Sequence, residues 1–163
     1  MLIFDDNFKK ELYEKAEKSV RRRAHHNIHR NILEPVQRLA IALLKGTYIP
    51  PHKHTLEKQW EFFHIIEGDL KFVTFSDSGQ ITQSLSIGKS GNIFAIQIPP
   101  NIIHSLLCLS ERAMIFEWKE GPFNLEQAKC FLPWTIPEGD PRVPEIVKML
   151  ELAKPGDYIN KLN

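Results

Sequence analysis

Gly46-Thr47-Tyr48-Ile49-Pro50-Pro51-His52-Lys53-His54, followed by Glu61 and Gly68, is the stretch that decides how this chain is read. Imidazole and carboxylate groups are the usual nitrogen and oxygen ligands of divalent transition metals. Pro50-Pro51 forces an extended path into His52. On a strand, residues i and i+2 face the same way with Cα atoms roughly 6.5 Å apart, so His52 and His54 can converge on one ion while Lys53 faces away. Glu61 opens the next strand, which returns beside the first, so its carboxylate can reach the same point. Farther on, Pro99-Pro100-Asn101-Ile102-Ile103-His104 brings a third imidazole from a later strand.

Around this stretch the texture is that of strands. Val36–Leu44, Trp60–Ile66, Leu70–Phe75, Gln80–Ile87, Asn92–Ile98, Ile103–Leu109 and Ala113–Trp118 are short runs separated by Gly, Pro, Asp or Ser turns. That pattern predicts a sandwich or small barrel. Glu67-Gly68-Asp69 and Ser76–Gly79 read as hairpin turns. Before the strands, Phe8, Leu12, Ala16 and Val20 form one apolar stripe and predict a helix over Phe8–Arg23, capped by Asp5, Asp6 or Asn7 and closed by Arg21-Arg22-Arg23. Residues 24–31 are polar and without period. After Gly121-Pro122 a loop packed on the barrel is expected, then a short helix over Pro141–Leu152 and a loosely held tail from Lys154. A single domain follows: residues 1–31 as helix and loop, 35–119 as barrel core and 120–163 as loop and helix.

Composition bounds the function. At 163 residues with 42% hydrophobic and 25% charged residues, the chain has the make-up of a globular protein with a substantial core. A net charge of +1 gives no global field for nucleic acid, and no apolar run is long enough to span a membrane. Cys108 and Cys130 are not in a Cys-x-x-Cys pair and read as two buried free thiols. The first residues lack a signal-peptide pattern, so a cytoplasmic location is expected.

The frame Gly46, His52-Lys53-His54, Glu61, Gly68 resembles the first motif of the cupin superfamily, and Pro99–His104 resembles the core of its second, Pro-x-Gly-x-x-His. Asn101 stands in place of the glycine and is the next best residue for a left-handed turn. The gap from His54 to Glu61 is longer than in the general motif, and Glu57 is a competing carboxylate within it. Within the superfamily the chain looks like the WbuC-type cupin fold metalloproteins. The residues that carry this are Asn27-Ile28-His29, Pro35–Leu39, Gly46-Thr47-Tyr48, Phe116-Glu117, Gly121-Pro122, Phe131–Trp134 and Pro137–Asp140. The long spacing is also like that family, which favours Glu61 over Glu57. The resemblance implies a mainly β, cupin-type barrel (a jelly-roll-like double-stranded β-helix) with an N-terminal and a short C-terminal helix. It also implies an association with bacterial surface-polysaccharide (O-antigen) gene clusters.

The metal ligands expected are therefore His52, His54, Glu61 and His104, holding one divalent transition metal. Three imidazoles and a carboxylate leave coordination positions open, which suits Fe, Mn, Co, Ni or Zn and a catalytic more than a structural role. The leading expectation is isomerase-like chemistry on a sugar or sugar-nucleotide. An Fe(II) oxygenase and a non-catalytic carbohydrate- or metal-binding regulator are the alternatives. Asn27, His29, Arg38, Glu117 and Lys119 are candidate substrate-binding residues. Arg38 can hold an anionic group or pair with Glu117. His64 should face away from the metal, and His25 and His26 read as surface residues. Trp60, Phe62, Phe63, Phe72, Phe75, Phe94, Phe116 and Trp118 read mostly as core, with a sugar-stacking role open to Trp60 or Trp134. A homodimer formed through strand edges is expected, with no nucleic-acid or membrane partner.

Overall fold

The computed structural model describes residues 1–125 and 128–159. In chain order the elements are α1 (Asp6–Lys18), β1 (Arg23–Asn27), β2 (Val36–Leu44), β3 (His52–Lys53), β4 (Glu61–Glu67), β5 (Asp69–Phe75), β6 (Ile81–Gly88), β7 (Ala95–Ile98), β8 (Ile103–Cys108), β9 (Arg112–Glu120), β10 (Cys130–Phe131) and α2 (Val143–Leu152). The strands form two antiparallel five-stranded sheets, ordered β1-β2-β9-β4-β7 and β10-β3-β8-β5-β6. From β2 to β5 the chain changes sheet at every connection. Mainly β, jelly-roll-like and flanked by two helices, this is the cupin-type fold.

The sheets face each other across Ile41, Leu43, Phe63, Ile65, Leu70, Phe72, Leu106 and Ile115. Strand β2 is apolar on both sides because both are covered. Leu39, Ile41 and Leu43 point between the sheets, whereas Ala40, Ala42 and Leu44 meet Leu12, Tyr13 and Ala16 of α1. Helix α2 covers the second sheet, packing Ile146, Val147 and Leu150 on Val73, Phe75 and Leu107. The Lys71 ammonium donates to the carbonyls of Glu151 (2.7 Å) and Ala153 (3.0 Å), ending α2 against β5. Among the described residues no helix is long and apolar enough to cross a membrane.

Several expectations are corrected. Glu67-Gly68-Asp69 does not close a hairpin. Strand β4 pairs with β7 and β9, while β5 pairs with β6 and β8. Gly68 (φ +81) turns the chain from one sheet to the other, and a Cβ there would sit 2.4 Å from the Arg112 carbonyl oxygen. Helix α1 stops at Lys18, so Arg21-Arg22-Arg23 is not its end. Arg22 takes a left-handed turn (φ 54), and Arg23 opens β1 with its side chain buried. Val20 is fully exposed. The polar stretch from Ala24 pairs along β2 as an edge strand. The segment after Lys154 is docked: the Ile81 amide donates to Asp157 (2.8 Å) and Ile159 is buried, while residues 160–163 lie outside the described range. Phe62, Phe116 and Trp118 lie on the outer face of the first sheet, and Phe94 is exposed. Cys108 is buried, but Cys130 is only half-buried; both are free.

Candidate metal centre and cavity

Strand register puts the four candidate ligands at one point. His52 on β3 is the direct partner of His104 on β8, and Glu61 opens β4 opposite Lys119 on β9. His54 follows His52 by one alternation. Its carbonyl accepts from the Asn101 amide (2.8 Å), and Asn101 takes the left-handed conformation at φ 66. The turn before His104 thus holds the segment carrying His54 in place. Ligand atoms of His52, His54, Glu61 and His104 lie within 4.8 Å of one another, and all four residues are 2–3% exposed. Glu57 is exposed and outside the group.

The hydrogen bonds fix which nitrogen faces the centre. His52 Nδ1 meets the Pro50 carbonyl (2.8 Å), His54 Nδ1 the Ala128 carbonyl (2.5 Å) and His104 Nδ1 the Ile102 carbonyl (3.0 Å). A carbonyl oxygen only accepts, so each Nδ1 carries a hydrogen and each ring turns Nε2 inward, as a lone pair wherever the ring is neutral. Those lone pairs confront the carboxylate: His54 Nε2 is 3.0 Å and His104 Nε2 3.1 Å from Glu61 oxygens. Acceptor against acceptor at that distance is repulsive unless a proton or a cation stands between them. His54 Nε2 and a Glu61 oxygen have no hydrogen-bond partner in geometric terms although both are buried. Two ligands about 2.1 Å from one ion are at most about 4.2 Å apart, so a sub-ångström contraction closes the set on a metal. The donor set therefore fits a divalent transition ion.

The electrostatics agree. Burial opposes charge on Glu61, yet positive charge at the facing His104 and His54 nitrogens, where a proton or a cation must stand, outweighs it and holds its pKa well below the ordinary glutamate value. Burial, with Lys129 and His104 nearby, pushes His52 well below the usual histidine range and keeps it neutral. Burial opposes charge on Lys119 as well, but Glu117 and Glu61 hold its pKa above the ordinary value. Lys119 Nζ is 2.8 Å from Glu117 and 3.8 Å from Glu61.

The centre opens into a cavity of about 390 Å³ between the sheets. His52, Glu61 and His104 line its polar end, while Ile41, Leu43, Leu106 and Ile115 line its apolar wall. One lip is Arg21 with Arg23, His25 and Asn27 of β1; the other is Phe123, Leu125 and Lys129. Burial and the cations Arg23, Arg21, Lys129 and Lys119 push the His25 pKa down to about 4, although part of its ring meets solvent.

Of the candidate substrate-binding residues, Asn27, Glu117 and Lys119 line this cavity. His29 and Arg38 do not. His29 Nδ1 is spent on the Arg38 backbone (3.0 Å to the carbonyl, 3.1 Å from the amide), and the Arg38 guanidinium pairs with Glu34 rather than Glu117. His64 stacks on Trp118 on the outer face. Trp60 and Trp134 are not in the lining; the Trp134 indole donates to the Asp77 carbonyl (2.8 Å). Sequence reasoning missed Arg21, Arg23, His25 and Lys129. A signal for two of them was present: Arg23, His25 and Asn27 alternate at period two, which on an edge strand places them on one face.

Comparison with known proteins agrees with this fold. The family model for a domain of unknown function (DUF6016) matches residues 4–87, just over half of the chain, and the chain belongs to that family. No curated protein matches it. Among solved structures it is similar to protein SO0799 from Shewanella oneidensis, with 11% identity and a TM-score of 0.56 over 81% of this chain and 87% of that one. It is also similar to the capsular polysaccharide assembling protein CapF from Staphylococcus aureus, with 16% identity and a TM-score of 0.53 over 67% of this chain and 29% of that one. The chain thus spans less than a third of the length of CapF.

Proposed function

We propose that this DUF6016 member is a WbuC-like cupin metalloprotein that holds one divalent transition metal on His52, His54, Glu61 and His104 and acts on a sugar or sugar-nucleotide. One observation carries the metal: three Nδ1 groups tied to carbonyls, with their Nε2 lone pairs turned onto a buried carboxylate. A bound ion would polarise a carbonyl or hydroxyl oxygen of the substrate.

The residues beside the centre favour isomerase-like proton transfer. Lys119 and Glu117 share a hydrogen bond on the cavity wall, next to Glu61. Glu117 can take a proton from a carbon next to a carbonyl, and the charged Lys119 can stabilise or protonate the oxygen that gains charge. The apolar wall keeps water away from that exchange. A role in surface-polysaccharide synthesis rests on the sequence resemblance; the likeness to CapF supports the fold.

The test begins with metal analysis of untagged protein. His52→Ala with His104→Ala should abolish stoichiometric binding, and one equivalent retained by the double variant would refute the site. Metal-loaded protein is then incubated with aldose and ketose sugars in deuterated water and followed by NMR. Exchange of a carbon-bound hydrogen, lost in Glu117→Gln, supports the isomerase. Oxygen consumption with Fe(II) would select an oxygenase, and sugar binding without turnover a regulatory module.

A further inference from the structure

The lips of the cavity carry charge that the metal centre does not use. Four basic side chains line it (Arg21, Arg23, Lys119 and Lys129) against two carboxylates, Glu61 and Glu117. Glu138, outside the lining, pairs with both Arg21 and Arg23. Even with Glu138 counted, cations exceed carboxylates by one, and a divalent ion at the centre raises the excess to three. A low-dielectric slot concentrates such a field on whatever enters.

These cations are not equivalent. Lys119 is held by Glu117. Arg23 is buried, pairs with Glu138 and donates to the Tyr48 carbonyl (3.0 Å), so it fastens β1 to the C-terminal segment. Lys129 has no ion pair among the described residues and lines the same cavity as Glu117, Glu61 and His52. Arg21 is half-exposed and engages Glu138 through Nε (3.1 Å), which leaves its terminal nitrogens for the slot. Lys129, without an ion pair among the described residues, and Arg21, held by Glu138 only through Nε, thus stand on the two lips.

Size sets the second limit. At about 390 Å³ the cavity lies at the small end of ligand pockets, which run from about 300 to 1,000 Å³. A monosaccharide-sized body fills it, and a nucleotide would have to remain outside.

We infer that the slot selects a small anionic sugar derivative, a sugar acid or sugar phosphate, whose acid group docks on Lys129 and Arg21 while its hydroxyl or carbonyl oxygens face the histidine–glutamate centre. This rests on the proposed metal-dependent function and narrows its substrate class from sugars in general to acidic ones.

Isothermal titration with the full chain, metal-loaded and metal-stripped, tests it with three probes: D-glucuronate, D-glucose 6-phosphate and D-glucose. At least one anion should bind the loaded protein about tenfold or more tighter than glucose, and the tighter anion identifies the acid. Lys129→Gln should weaken that anion about tenfold while still taking up one metal ion per chain; Arg21→Gln should weaken the anion as well. Lys129 is exposed, so the substitution leaves the fold intact. Glucose binding as tightly as both anions, no binding of either anion at millimolar concentration, or an anion affinity that neither substitution alters would overturn the inference. Lys129-dependent anion binding by a protein that takes up no metal would uphold the slot and refute the metal centre instead.

Discussion

Replacing Glu61 by Gln should make the protein indifferent to metal without making it less stable when metal is absent. Glu61 is 3% exposed and faces two histidine nitrogens at 3.0 and 3.1 Å whose lone pairs point inward. Gln keeps the volume, removes a buried charge and supplies an N–H that one Nε2 can accept. The metal-free variant should therefore melt at or above the metal-free wild type. With metal present the order reverses. Three Nδ1 anchors already hold the rings, so binding costs little side-chain ordering. A ligand at 100 times its Kd stabilises the native state by about 2.7 kcal/mol. For a chain of this size each kcal/mol moves Tm by roughly 2–4 °C, so the wild type should gain roughly 5–11 °C. The variant, lacking its anionic ligand, should gain less than about 2 °C. Differential scanning fluorimetry of untagged protein, stripped with chelator and titrated with Mn(II), Co(II) or Zn(II), reads both shifts, and elemental analysis counts the ions. A Glu61→Gln variant that still binds one equivalent and gains the full shift would refute the reasoning.

Other consequences of the structure can be checked alongside. Lys71→Met removes the ammonium that holds the end of α2 and should cost about 1.5–3 kcal/mol in urea denaturation, because hydrogen bonds from charged groups are worth that much. Asn101→Ala should cost about 1–2 kcal/mol and lower metal affinity, since a left-handed residue there holds the segment bearing His54, whereas Asn101→Gly should be nearly neutral. In native protein at pH 8 a thiol reagent should label Cys130 and spare Cys108, which is buried and whose pKa burial pushes up to about 11; denaturant should expose both. Asp140 is held at a pKa of about 2 by its hydrogen bonds to Arg142, against an ordinary 3.8. Its stabilising contribution is thus complete above about pH 4 and lost as pH falls towards 2. Asp140→Asn should flatten that limb of the stability–pH curve.

Much of the fold was legible because strands alternate and turns have chemistry. The runs that form β4 to β9 were readable from apolar patterning between Gly, Pro and Asp, and Asn101 could be placed in a left-handed turn because it stands where the resembled cupin motif has glycine. Pairing partners were not legible. Glu67-Gly68-Asp69 carries the same local signal whether the next strand returns in the same sheet or crosses to the other, because both need a tight turn with a residue at positive φ. Only the Arg112 backbone, 2.4 Å from where a Gly68 side chain would begin, records which it is. The gathering of His52, His54, Glu61 and His104 followed from their spacing together with the resemblance to the cupin motifs, whereas the three carbonyls that orient the rings did not. Pro50, Ala128 and Ile102 offer backbone oxygens, and a backbone oxygen leaves no trace in residue identity.

The edge strand β1 shows how a site can hide in plain composition. Arg21-Arg22-Arg23-Ala24-His25-His26-Asn27 lacks the apolar half of a strand pattern, so it reads as a helix end and a loop. An interior strand with that sequence would bury unpaired charge at prohibitive cost. An edge strand over a cavity does not, because its inward face lines that cavity together with Lys119 and Glu117. The strand is held instead by its full register with β2 and by Arg23, whose guanidinium reaches Tyr48 and Glu138. The polarity that disqualified the segment as structure is the property a binding lip requires. Alternating cations with no apolar partner face, next to a predicted strand, are therefore better read as the rim of a site than as a solvated end. Whether anion binding weakens in Arg21→Gln is the measurement that decides between those readings for this chain.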